Sequence, residues 1–146
     1  MNKEKKVSIT LKSISRAGGM PDVIELITEG TLRKAELSGT SGWEISYDDS
    51  DVTGFDGSVT TVSCFGETYA SMRRDGSAES HLIMEQARRH HCLYGSEYGS
   101  VTMGIYAKRI INRMTENGGE LYLKYTIDMN SALVSENEVY LDVRPM

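Results

Sequence analysis

Cysteine is scarce in this chain: only Cys64 and Cys92 occur in 146 residues. Neither belongs to a CxxC pair, and two cysteines do not build a disulfide framework. Long apolar runs are also missing, so no segment is long enough to span a bilayer as a helix. The opening Met1-Asn2-Lys3-Glu4-Lys5-Lys6-Val7 is charged and leads straight into an alternating strand, unlike a secretory leader. Free thiols and a cytoplasmic location are expected. Excess positive charge is absent as well. The chain has 21 acidic and 16 basic residues, for a net charge of −5, a balance that repels phosphate backbones. The one basic cluster, Arg88-Arg89-His90-His91, has no interleaved aromatic platform and reads as a solvated turn. No nucleic-acid or membrane partner is expected.

Catalytic signatures are equally thin. No Gly-x-Ser-x-Gly elbow occurs, and the glycines fall at turns between strands rather than before a helix. His90, His91 and Cys92 are consecutive, with His81 nearby, but at most His90 and Cys92 can share a strand face. That falls short of a zinc set. Asp49-Ser50-Asp51-Val52-Thr53-Gly54 matches the first half of a calcium loop, yet Thr60 stands where the closing glutamate belongs. Glu67, Asp75 and Glu79 lie near hairpins and read as solvated carboxylates. No catalytic residue, metal or cofactor is expected.

What the chain does have is a period of two. Val7, Ile9 and Leu11 alternate with Ser8, Thr10 and Lys12. Ala17-Gly18-Gly19 and Pro21 break the pattern. Val23 to Leu32 is β-rich, with Gly30 expected at a bulge or sharp bend, and Ala35 and Leu37 form a short further strand. Trp43, Ile45 and Tyr47 alternate before a polar loop over 48–57. Val59 to Phe65 and Thr68 to Arg74 follow, with Asp75-Gly76 as a two-residue hairpin turn into Ser77 to Met84. Residues 85–89 make a short turn, His91 to Ser96 a strand, and Val101 to Met114 a long one. Asn117-Gly118-Gly119 turns the chain into Leu121, Leu123, Tyr125, Ile127 and Met129. A turn over 130–137 precedes Val139, Leu141 and Val143.

About ten strands without intervening helices mean a sandwich or a barrel. Sequential hairpins favour an up-and-down meander, and closure removes exposed edges. The expected fold is all-β: one closed, antiparallel, up-and-down, lipocalin-like β-barrel over 1–146, with residues 1–6 frayed.

A family resemblance runs through the same elements. Tyr94 to Ile105 reads YGSEYGSVTMGI. Arg74-Asp75-Gly76 and Ser80 precede it, Tyr125-Thr126-Ile127-Asp128-Met129-Asn130 follow it, and Thr53-Gly54-Phe55-Asp56-Gly57 leads a Thr-rich strand. Their order resembles the YwiB-like family of small bacterial barrels, from about Val7 to Val143. The resemblance implies a calycin-type barrel inside the cell and carries no assigned activity, substrate or cofactor. Glu97 stands where family members often carry Pro, which alters the expected turn.

A barrel of about eight or more strands is either filled or holds one small ligand. Eight methionines suit a soft interior, Met72, Met84, Met103, Met114 and Met129 all lying in strand patterns. The leading expectation is a non-catalytic protein binding a small, partly apolar, amphipathic ligand in the barrel mouth or interior. Arg74, Tyr94, Tyr98 and Asn130 would supply polar contacts, and Trp43 and Tyr47 an aromatic lining. Arg74, next to a hairpin and retained as a basic residue in the family pattern, would anchor an acidic head group. Its competing role is a rim arginine in a surface salt bridge. The alternative function is a filled barrel acting as a structural or interaction module, or as a homo-oligomer.

Overall fold

The computed structural model describes residues 4–77, 79–96, 99–129 and 132–146, with the backbone alone at 93–96 and 99–101. Alternation becomes strand wherever the sequence carries it. β1 spans Lys5–Arg16, β2 Asp22–Leu37, β3 Thr40–Asp48, β4 Ser58–Phe65 and β5 Tyr69–Gly76. β6 spans Glu79–Glu85, β7 Arg89–Ser96, β8 Gly99–Asn112, β9 Gly119–Met129 and β10 Ala132–Pro145. Each strand pairs antiparallel with its sequence neighbour, and β1 pairs with β10 to close the ring. The fold is therefore an up-and-down β-barrel.

The ring is uneven around its circumference. β1 and β10 align over ten residue pairs, from Val7↔Pro145 to Arg16↔Glu136. β6 and β7 align only at Glu79↔Gly95 and Ser80↔Tyr94. Below that pair the Ile83 amide donates to the Cys92 Sγ at 3.4 Å, and a lone Glu85↔Arg88 bridge closes the turn. This seam is the loosest join between neighbouring strands.

Several boundaries differ from the expected ones. β2 is one 16-residue strand whose register with β1 and β3 runs unbroken through Gly30. Gly30 marks no bulge: a Cβ there would run into the Ser46 carbonyl and the Ile9 side chain, so glycine permits close approach. Asp75 and Gly76 belong to β5, where Gly76 pairs with Ser58, rather than forming a two-residue turn. Gly76 has φ 121°, and a Cβ would sit 2.5 Å from the Gly57 carbonyl oxygen. β10 starts at Ala132, so most of the expected turn over 130–137 is strand. Met114 lies beyond the end of β8, although it is buried. Lys5 and Lys6 pair with Leu32 and Thr31. The expected turn at Gly118-Gly119 does join β8 to β9, closed by reciprocal Thr115 and Gly118 backbone bonds.

True bulges occur elsewhere, between Ala107 and Arg109 on β8 and between Leu133 and Ser135 on β10. The first lies opposite Tyr125 and Lys124 and the second opposite Asp128 and Ile127, on the two sides of β9, where they add local twist.

The inward rows divide the barrel into two halves. At one end Ile9, Leu32, Ile45, Cys64, Ala70, Met84, Leu121, Leu123 and Leu141 are fully buried or nearly so. This half is filled. At the other end, inward residues are only partly buried: Ile24, Leu26 and Thr28 on β2, Met72 on β5, Leu82 on β6, Met103 on β8 and Ile127 on β9. Among the described residues this end, which we call the mouth, is less deeply buried than the other; the β1–β2, β3–β4 and β5–β6 connections border it.

Candidate functional site

The inner wall of the mouth carries a buried polar cluster. It begins with one register row, in which Tyr47 on β3 faces Thr60 on β4 and Thr60 faces Arg74 on β5. All three occupy inward positions because their alternation continues that of Ile45, Val62 and Met72. The loop after β3 adds Asp49, whose side chain is 0% exposed. Its Oδ1 accepts the Thr53 hydroxyl at 3.0 Å, and its Oδ2 accepts the Thr60 hydroxyl at 2.6 Å and Arg74 Nε at 3.3 Å. Arg74 Nε also reaches Thr60 Oγ1 at 3.1 Å. The Phe55 ring covers one face of the guanidinium, its centroid 3.8 Å from the central carbon, a cation–π contact.

Arg74 thus spends its Nε edge on protein partners. Its terminal nitrogens have no acceptor among the described residues, leaving four N–H donors. Its side chain is 17% exposed, so those donors face a space that water can enter. Tyr125, on β9 across the barrel, is 7% exposed and also lacks a hydrogen-bond partner among the described residues. No fully enclosed side-chain N or O in the described residues lacks a partner. The Tyr125 hydroxyl therefore borders accessible space as well.

Burial pushes the Tyr47 phenol up to about 12; Asp49 adds to this, while Arg74 and Thr60 pull it down. Burial also pushes Tyr125 up to about 12, with Arg74 opposing and Tyr47 reinforcing. Both phenols are neutral donors at physiological pH. Arg74 acts on both rings, which places the three side chains in one electrostatic neighbourhood.

Of the residues expected to form the site, Arg74 and Tyr47 come together. Trp43 does not: it lies on β3 opposite Cys64, near the filled end, about 13 Å along the strand from Tyr47. Tyr94 continues the Arg74 row through Ser80 by its backbone, but its side chain lies outside the described residues. Tyr98 and Asn130 lie outside the described residues altogether. Arg74 is not in a surface salt bridge: its Nε edge meets Asp49, which is fully buried. The sequence reading missed Asp49, Phe55, Thr60 and Tyr125 as a set. Asp49 heads the half-calcium motif, and its oxygens are occupied by three protein donors. Thr60, twelfth in that motif, closes it as a hydroxyl donor.

The histidine-rich turn is dispersed. His90 Nε2 lies 3.1 Å from Glu85 Oε1, and His81 and His91 are exposed. Among the described residues, no three His, Cys, Asp or Glu side chains gather. A different feature marks the outer wall, where a groove of about 510 Å³ runs over Lys12, Ile111, Tyr122 and Tyr140. The two tyrosine rings there lie 4.7 Å apart, and the Tyr140 hydroxyl donates to Glu138 at 2.8 Å.

Comparison with known proteins gives a family and a fold. The family described as "Domain of unknown function (DUF1934)" matches residues 9–141. No curated protein matches. The crystal structure of the YwiB protein from Bacillus subtilis is similar over 98% of this chain and 93% of that one, with a TM-score of 0.80 and 16% identity. At that identity, the likeness speaks for the barrel alone.

Proposed function

The chain belongs to the DUF1934 family, a domain of unknown function, and from its own geometry we propose that it is a binding protein that takes a small, partly apolar ligand into the mouth of the barrel. One observation carries this reading: the inward wall is sealed at one end and only partly buried at the other, around donors without a partner among the described residues. Leu26, Met72 and Ile127 pack against the core on one side yet stay partly exposed, whereas Leu123 is 0% exposed. Ligand sites are typically concave and apolar, with a few placed polar groups. Leu26, Met72, Leu82 and Ile127 supply apolar wall here, and Arg74 and Tyr125 supply the polar groups.

The test is titration with 1-aminoanthracene, a small uncharged fluorescent probe. Saturable enhancement with one site per chain is expected, and Leu26→Trp, which fills the mouth, should abolish it with the fold retained. No saturable signal, or a signal unaffected by Leu26→Trp, would overturn the reading. A second reading, a module that works through its outer wall, is favoured by the Tyr122–Tyr140 groove. Under that reading Tyr140→Ala, and not Leu26→Trp, would change binding or the oligomeric state.

A further inference from the structure

The charge arrangement in the mouth narrows the class of ligand. We propose that the group recognised by Arg74 and Tyr125 is an uncharged hydrogen-bond acceptor, such as the carbonyl of an amide or ester, borne on an apolar body. This rests on the ligand-binding reading above and deepens it. The sequence suggested an acid for Arg74, but the Asp49 carboxylate already sits on its Nε edge at 3.3 Å. The pair is neutral as a unit, so a second carboxylate entering the mouth would meet Asp49 as well as Arg74. It would also lose hydration with no net opposite charge to offset that loss. Exposed Asp22, Asp48, Asp51 and Glu79 at the same end of the barrel repel anions on approach.

A cation is disfavoured for a different reason. Among the described residues, the valences left without a partner at the site are donors: the terminal N–H groups of Arg74 and the hydroxyl of Tyr125, which burial keeps protonated. An ammonium brings more donors and meets the Arg74 charge. A carbonyl oxygen brings two lone pairs and no charge, and it complements the donors without disturbing the ion pair. Arg74 is preorganised for this, its guanidinium held by Asp49 and Thr60 on one edge and by Phe55 on one face. A fixed donor array loses little side-chain entropy on binding.

The experiment compares three probes of equal chain length, decanamide, decanoate and decylamine, by isothermal titration calorimetry at pH 8. Decanamide is expected to bind at least tenfold more tightly than either ion. Tyr125→Phe should weaken decanamide severalfold with the barrel's circular dichroism unchanged. Asp49→Asn, which uncovers the Arg74 charge, should shift the preference toward decanoate. If that variant does not fold, the wild-type ranking and Tyr125→Phe decide alone. Tightest binding by decanoate or decylamine in the wild type would overturn the inference while leaving the binding site in place. Failure of all three probes, together with failure of 1-aminoanthracene, would overturn the site itself.

Discussion

At the residue scale, the central feature is a carboxylate with no exposed surface. Asp49 is stable in that position because three donors compensate its lost hydration. Removing one partner of a buried pair costs more than removing both. Arg74→Leu should therefore destabilise the barrel by about 3 kcal/mol or more in urea unfolding at pH 7. Asp49→Asn combined with Arg74→Leu should recover part of that loss, as coupling in a double-mutant cycle. Equal, additive losses would mean the pair is not coupled. The buried tyrosines give a pH signature. Their folded pKa of about 12 lies above the ordinary unfolded value of roughly 10. Between these limits the unfolded chain releases protons that the folded chain keeps, so stability is full below about pH 10 and falls as pH rises toward 12. Unfolding midpoints measured across that window should decline, and Tyr125→Phe should flatten the decline. An unchanged slope would show that Tyr125 is not shielded. The cluster was hard to read from sequence for a plain reason: an aspartate in a polar loop looks solvated, and only the return of β4 and β5 places donors around it. Tyr125 was closer to legible, since it continues the inward series Leu121, Leu123.

At the element scale, the hairpins follow from local chemistry, but not every turn sits where its dipeptide alone puts it. Asp75-Gly76 looks like a tight turn, yet β4 pairs with β5 as far as Gly76 and moves the reversal beyond it. The glycine is still required. With φ 121° and the Gly57 carbonyl at 2.5 Å from a would-be Cβ, Gly76→Ala should cost roughly 1–3 kcal/mol. Gly39→Ala, at φ 84° in open space, should cost less because it carries backbone strain without a collision. The reverse order would mean that the Gly57 contact is absent. The seam is a second consequence of pairing. Its loss of ladder bonds was not legible, because β6 and β7 both show ordinary strand composition; at the seam the Ile83 amide donates to Cys92 Sγ. In native-state hydrogen exchange, the amides of His81 and Ile83, which point toward β7, should exchange faster than those of β1 and β10, whose ladder is continuous. Uniform protection around the ring would close the seam.

At the scale of the whole molecule, the all-β class and the meander order were legible, because period-two alternation and sequential turns leave few other closures. Which end is filled was not legible. Inward parity is the same along a strand, and only the packing of all ten strands separates Met84, fully buried, from Met72 and Met103, only partly buried. The methionines report that division directly. With their methyl groups carbon-13 labelled, nuclear magnetic resonance during a titration with decanamide reads both ends of the barrel at once. The account predicts saturable shifts at Met72 and Met103 in the mouth and little change at Met84 and Met114. Shifts at Met84 equal to those at Met72, or saturation with no shift at Met72 and Met103, would contradict a barrel that is filled at one end and binds at the other.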